Sequence, residues 1–239
     1  MKSYTLVLFL ILAFTNLSKA ENYKVIESNL NYIKISFDFT NQFSLRDLQS
    51  DGRILTKIIG EEYSLRKSGE PWLPTVYLNA GIPFNSQPEI KILSLEQKKF
   101  ENKFVIPYPD SIYQDINSLK FDEEIYSANS FYPHSPAEIS NIYTMRYIHA
   151  AGIAVYPYQF NPVSRELLFN VKMLIQINFN VNPSIGIISE KVDDFLTEDY
   201  ITTSLINPKE SKVFLGKQSY SLEKTAEDTV WYNPQKQYF

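Results

Sequence analysis

The chain has 239 residues, with 23 Lys+Arg against 27 Asp+Glu, two His and no Cys. A net charge of −4 offers no basic field for the phosphates of nucleic acid. The lack of Cys excludes a disulfide framework, thiolate zinc sites and a cysteine nucleophile supplied by this chain.

Two histidines are too few for a multi-His metal site and leave little from which to build a catalytic triad. The 17 Tyr and 16 Phe are far more than a disordered segment carries and are ample for a core. The composition describes a folded domain without catalytic residues or a cofactor.

Residues 1–20 read as a secretory signal peptide. Lys2 is followed by an apolar run from Tyr4 to Phe14 broken only by Thr5, and Ser18-Lys19-Ala20 supplies small residues for cleavage. The run is shorter than the roughly 20 residues that span a bilayer. The expectation is an exported protein, periplasmic in transit and then extracellular or on the cell surface, with no transmembrane segment once the leader is removed.

From residue 21 the ruling period is two. Ile33, Ile35, Phe37 and Phe39 alternate with Lys34, Ser36 and Asp38, the pattern of a strand buried on one face. Further strands are expected at 54–59, 75–78, 89–95, 100–106, 139–147 and 152–156. The longest alternation runs through Phe169, Val171, Met173, Ile175, Ile177, Phe179 and Val181, and its other face starts at Asn170. Turn residues separate these runs, among them Asp51-Gly52, Asn85-Ser86 and Asn161-Pro162. Many short strands without strand–helix alternation predict an all-β, mainly antiparallel two-sheet β-sandwich.

Toward the end, Val192, Phe195, Leu196, Ile201 and Leu205 stand at helical spacing. Residues 190–206 are expected to form one or two short helices, with Ser189 as N-cap and Asn207-Pro208 as the stop. The domain is placed at 21–208. A polar linker fills most of 209–239, where the aromatic Trp231-Tyr232 and Tyr238-Phe239 suggest the start of a further region.

Groups that could carry chemistry are few. Asp122-Glu123-Glu124 and Asp193-Asp194 with Glu198-Asp199 lack calcium-loop spacing and read as solvated acids. His134 and His149 have no third histidine to join them. Trp72, Tyr156, Tyr158 and Phe160 could form a sugar-binding platform, although rings in such a fold more often fill the space between sheets.

Two stretches carry a family resemblance. One is Gly69-Glu70-Pro71-Trp72-Leu73-Pro74 followed by Ala80-Gly81-Ile82-Pro83-Phe84. The other is Met145-Arg146-Tyr147, then Gly152 through Tyr156-Pro157-Tyr158-Gln159-Phe160-Asn161-Pro162 and the long strand. Together they resemble the amino-terminal propeptide domain of gingipain-type cysteine peptidases. Two departures stand out: Phe160 replaces the usual Tyr, and Tyr147 stands where an Arg-Gly pair would place Gly.

The resemblance implies a prosegment that assists folding of a cysteine peptidase domain and holds it latent, in cis or in trans, with export by type IX secretion. The catalytic Cys and His would belong to a following domain. A basic side chain of the prosegment would enter a pocket built for Arg or Lys, where a guanidinium can pair with a carboxylate. Arg146 is the nearest match by position, with Arg165 and Lys120 as alternatives. Processing would fall at Lys209, Lys212, Lys217 or Lys224. The remaining readings are the front part of the peptidase precursor itself and a free carbohydrate-binding or adhesive sandwich.

Overall fold

Alternating side chains need a second apolar surface to bury their inner face, and the fold supplies it with two packed sheets. The computed structural model describes residues 22–50, 52–60, 67–111, 114–182, 187–189 and 195–218. The expected leader, Asp193-Asp194, Lys224 and the aromatic end lie outside the described residues, as does the side chain of Lys217.

In chain order the strands are β1 (Tyr23–Ser28), β2 (Tyr32–Asp38), β3 (Ser44–Ser50), β4 (Arg53–Ile59), β5 (Val76–Gly81) and β6 (Glu89–Phe100). They continue with β7 (Ala137–Met145), β8 (Ile148–Val155), β9 (Tyr158–Asn161), β10 (Glu166–Asn178), β11 (Ile187–Ser189) and β12 (Gly216–Gln218). Among the described residues the α-helices are α1 (Glu123–Ser127), α2 (Phe195–Ser204) and α3 (Pro208–Ser211), with one 3-10 turn at Ile116–Ser118.

Besides the two-stranded ribbons β3-β4 and β11-β12, the described residues form a larger, five-stranded sheet in the order β1-β2-β10-β6, with β9 also paired to β10, and a smaller, three-stranded sheet in the order β5-β8-β7. Both are antiparallel throughout. Ile33, Ile35 and Phe37 of β2 and Met173, Ile175 and Ile177 of β10 share one core with Leu78 of β5 and Ile153 and Val155 of β8. Antiparallel strands facing one another across such a core are the expected sandwich.

The smaller sheet is covered on its other side too. Ile148 and Ala150 of β8 pack with Ile201 of α2 and with Leu205. Burial on both faces explains why β8 reads as a nearly continuous run of small and apolar residues without alternation.

Several expectations are corrected. His149, expected after a strand, lies inside β8, which starts at Ile148 and leaves only Arg146-Tyr147 as the turn from β7. Residues 100–106 form no strand of their own: Phe100 ends β6, the left-handed Asn102 turns the chain, and Val105 makes an isolated bridge to Thr56. Asn207-Pro208 does not stop the helical region. Pro208 opens α3, where its fixed φ suits a first turn. The segment expected to begin the linker therefore carries α3 and β12, and Ser211 within it is 2% exposed.

Asn170 also departs from the polar outer face expected of it. It is fully buried, because the β9 hairpin covers that end of β10. Its amide is satisfied there, donating to Tyr156 O at 2.7 Å and accepting from Gln97 Nε2 at 2.8 Å.

Candidate functional site

The β7–β8 hairpin presents Arg146 at its tip. The register pairs Met145 with Ile148, so Arg146 and Tyr147 alone make the turn. Arg146 has φ 55°, the left-handed region that non-glycine residues seldom adopt, and its side chain is exposed.

The base of this turn is braced. Gly216 N–H donates to Tyr147 O at 3.2 Å, which ties β12 to the hairpin. One pair further down, Thr144 Oγ1 and His149 Nδ1 lie 2.9 Å apart, and the His149 ring stacks on Phe84 with centroids at 5.0 Å. Burial holds the His149 imidazole below its ordinary value. Tyr143 donates to Asn79 Oδ1 at 3.0 Å and lies 2.6 Å from the Tyr200 hydroxyl, which ties β7 to β5 and α2. Burial and this contact raise the Tyr143 phenol well above its usual range.

The other basic candidates lie elsewhere. Arg165, also left-handed at φ 56°, sits in the β9–β10 turn with its guanidinium 5.9 Å from the Phe104 ring centroid. Lys120 is exposed and pairs with Asp110 at 3.2 Å. Lys209 lies within α3, and Lys212 follows it and pairs with Glu198 at 2.5 Å.

The structure places the remaining candidates in structural roles. Asp122 caps α1 by accepting from Ile125 N–H at 3.1 Å, and Glu123 and Glu124 form the acidic first turn. His134 is exposed. Tyr156, Tyr158 and Phe160 are buried, while Trp72 is half-buried with Lys57 Nζ 4.4 Å above its ring. The four rings therefore form no exposed sugar platform. Phe160 is fully buried against Phe104 and Tyr126, a setting in which a Tyr hydroxyl is dispensable.

The first motif gains a physical reading. Gly69 N–H donates to Tyr108 O, Tyr108 N–H to Glu70 O and Trp72 N–H to Ile106 O, all within 2.9 Å. Gly69 has φ 92°, and a Cβ there would stand 3.1 Å from Asp122 N. Among the described residues no three His, Asp or Glu side chains gather as a metal site, and no helix is long and apolar enough to cross a membrane.

The described residues define a two-sheet antiparallel β-sandwich that carries a braced basic hairpin. Comparison with known proteins gives the family. A Propeptide_C25 model matches residues 15–203, and the chain belongs to that family.

The chain is 19% identical over 181 residues to Gingipain R1 of Porphyromonas gingivalis, a match covering 74% of this chain and 18% of that protein. Gingipain R1 of strain ATCC 33277 matches at the same identity over 11% of its length. The chain thus spans less than a fifth of the curated relatives it matches.

Among solved structures, the complex of Porphyromonas gingivalis RgpB pro- and mature domains contains a chain with TM-score 0.64 at 14% identity, covering 79% of this chain and 99% of that one. A structure bearing on zymogenic latency of gingipain K from the same organism matches with TM-score 0.52 at 16% identity, over 67% and 93% of the two chains. The sandwich is the fold of a gingipain prodomain.

Proposed function

We propose that this chain is the exported prosegment of a gingipain-type cysteine peptidase, acting as folding chaperone and latency inhibitor without catalytic residues of its own. Membership of the propeptide family and the prodomain fold support the reading. The observation that carries it is the exposed Arg146 on a hairpin tip held by Gly216 and by the Tyr143–Tyr200 contact.

A guanidinium entering a pocket with a carboxylate at its base forms paired charge-assisted hydrogen bonds. Its fixed backbone reduces the ordering cost of docking. Arg165 and Lys120 are the alternative candidates, one with its guanidinium 5.9 Å from the Phe104 ring centroid and the other paired with Asp110. Residues 1–20 direct export, by the type IX route on the family resemblance, and processing falls at a lysine of the carboxy-terminal segment.

The test is inhibition of the cognate peptidase domain by the chain added in trans. Arg146→Ala is expected to raise the inhibition constant by roughly tenfold or more, the equivalent of one or two charge-assisted hydrogen bonds. Arg165→Ala and Lys120→Ala should leave it unchanged. An unaltered constant for Arg146→Ala removes Arg146, and turnover of a peptide by the purified chain alone overturns the non-catalytic reading.

A further inference from the structure

Three turns far apart in sequence meet beside the larger sheet. They are the β3–β4 turn with Gly52, the turn after β6 with Asn102, and the β9–β10 turn with Arg165. All three residues are left-handed, at φ 74°, 57° and 56°. Lys103 N–H donates to Arg165 O at 2.9 Å and locks two of the turns together. Between them lies a cleft of about 480 Å³ lined by Gly52, Arg53, Ile54, Asn102, Phe104 and Arg165.

The charge of this cleft runs against that of the chain, which is −4 overall. Nearby acids are already engaged. Asp47 pairs with Lys103 at 2.8 Å, and Glu101 and Glu166 share Lys99 at 3.2 and 2.9 Å. Arg53 and Arg165 have no carboxylate partner among the described residues. The wall between them is apolar, formed by Ile54 and by Phe104, whose ring centroid lies 5.9 Å from the Arg165 guanidinium. Phe104 packs edge-on against Phe160 at 5.8 Å and beside Tyr126 at 5.5 Å, whereas Ile54 is 65% exposed.

We propose that this cleft is a binding site for a carboxylate presented beside an aromatic or branched apolar group, as on an acidic peptide segment or a peptide terminus. The two guanidiniums take the carboxylate, and Phe104 with Ile54 takes the neighbouring side chain. The site is independent of Arg146 and gives Arg165 a role other than pocket plug.

The probes are N-acetyl-phenylalanine, its amide, N-acetyl-glycine and the blocked dipeptide amide Ac-Asp-Phe-NH2. Each is titrated into the intact purified chain while the amide signals of Gly52 and Asn102 are followed by NMR. N-acetyl-phenylalanine or the dipeptide should bind roughly tenfold more tightly than the uncharged amide, and N-acetyl-glycine should bind more weakly than N-acetyl-phenylalanine. The tighter of the two acidic ring-bearing probes identifies a terminal or a side-chain carboxylate as the preferred source.

Arg53→Gln and Arg165→Asn, the latter keeping a residue that tolerates the left-handed turn, should each remove most of that preference. Both side chains are exposed, so folding is preserved, and an unchanged Tm checks this. Equal binding of acid and amide, or acid binding that survives both substitutions, overturns the site. Equal binding of N-acetyl-glycine and N-acetyl-phenylalanine overturns the apolar half of the assignment.

Discussion

The side-chain amide of Asn207 and the backbone of Gly81 exchange two hydrogen bonds of 2.8 Å, Gly81 N–H donating to Oδ1 and Nδ2 donating to Gly81 O. The amide thus serves as a strand partner for the end of β5, while Ile206 N–H donates to Asn79 O at 2.9 Å. With Asn207 2% exposed, neither Gly81 group has water to fall back on. Orphaned buried polar groups cost roughly 1–3 kcal/mol each. Asn207→Ala should therefore lower unfolding free energy by roughly 2–4 kcal/mol in urea titration, and a loss under about 1 kcal/mol would mean the segment after α2 does not support β5.

Gly81 is small because Ser211 lies against it. A Cβ at residue 81 would stand 2.1 Å from Ser211 Oγ and 2.7 Å from its Cβ, too close without displacing α3. Gly81→Ala is expected to cost about 1–3 kcal/mol, as overpacking does. Adding Ser211→Gly should recover part of that loss, although the replacement gives up the Ser211 hydrogen bond to Asn207 O at 2.7 Å. Independent, additive costs in the double variant would show that the two residues do not collide.

The parts of this fold legible in the sequence are those buried on one face. β2 and the outer half of β10 alternate cleanly, and their inner residues form the core. Sequence periodicity carries no signal where burial is two-sided or comes from afar. His149-Ala150-Ala151 shows no period because both faces of β8 are covered. Asn170 looks solvent-facing until β9 folds over it. Arg146 was visible as a residue but not as a hairpin tip, since the turn lacks the glycine that usually marks one. The cleft at Arg53 and Arg165 was invisible, because its walls come from three separate turns.

Because Arg146 has φ 55°, its backbone and its charge can be tested apart. Glycine adopts this conformation freely, which offsets its greater freedom in the unfolded chain. Arg146→Gly should leave stability within about 1 kcal/mol of the starting chain while weakening the inhibition proposed for this side chain. Arg146→Lys keeps the charge and should retain part of the inhibition, losing the paired geometry. Full inhibition by Arg146→Gly would show that the tip contributes shape and no charge.

Burial keeps His149 below its ordinary value of 6.5, so the unfolded chain takes up a proton at this ring before the folded one does. Stability should then fall as pH drops below about 6.5, levelling once pH passes the lower folded value. Asp47 and Glu166 are held low chiefly by their hydrogen bonds to Lys103 and Lys99, so their stabilisation is complete above their ordinary values of 3.8 and 4.5. It is lost only in more acid solution. A comparison of urea midpoints at pH 7.5 and 5.5 isolates the histidine. His149→Gln should flatten the difference, and an equal slope in the variant would assign it to other groups.

Lys209 and Lys212 lie in a segment fastened from several sides. Ser28 Oγ donates to Glu210 Oε2 at 2.8 Å, Phe214 packs edge-on against Phe179 at 5.5 Å, and Ser211 between the two lysines is buried. The Lys212–Glu198 pair is exposed and adds little by itself. A peptidase needs several residues in extended form, so cutting here requires local unfolding of α3 and its contacts. Limited digestion with a lysine-specific peptidase should therefore cut slowly after Lys209 and Lys212. Asn207→Ala should accelerate both cuts, because it removes the hydrogen bonds that hold α3 to β5. Rapid cutting after Lys209 in the unmodified chain, at a rate unaffected by Asn207→Ala, would show that this segment does not act as a fastened unit.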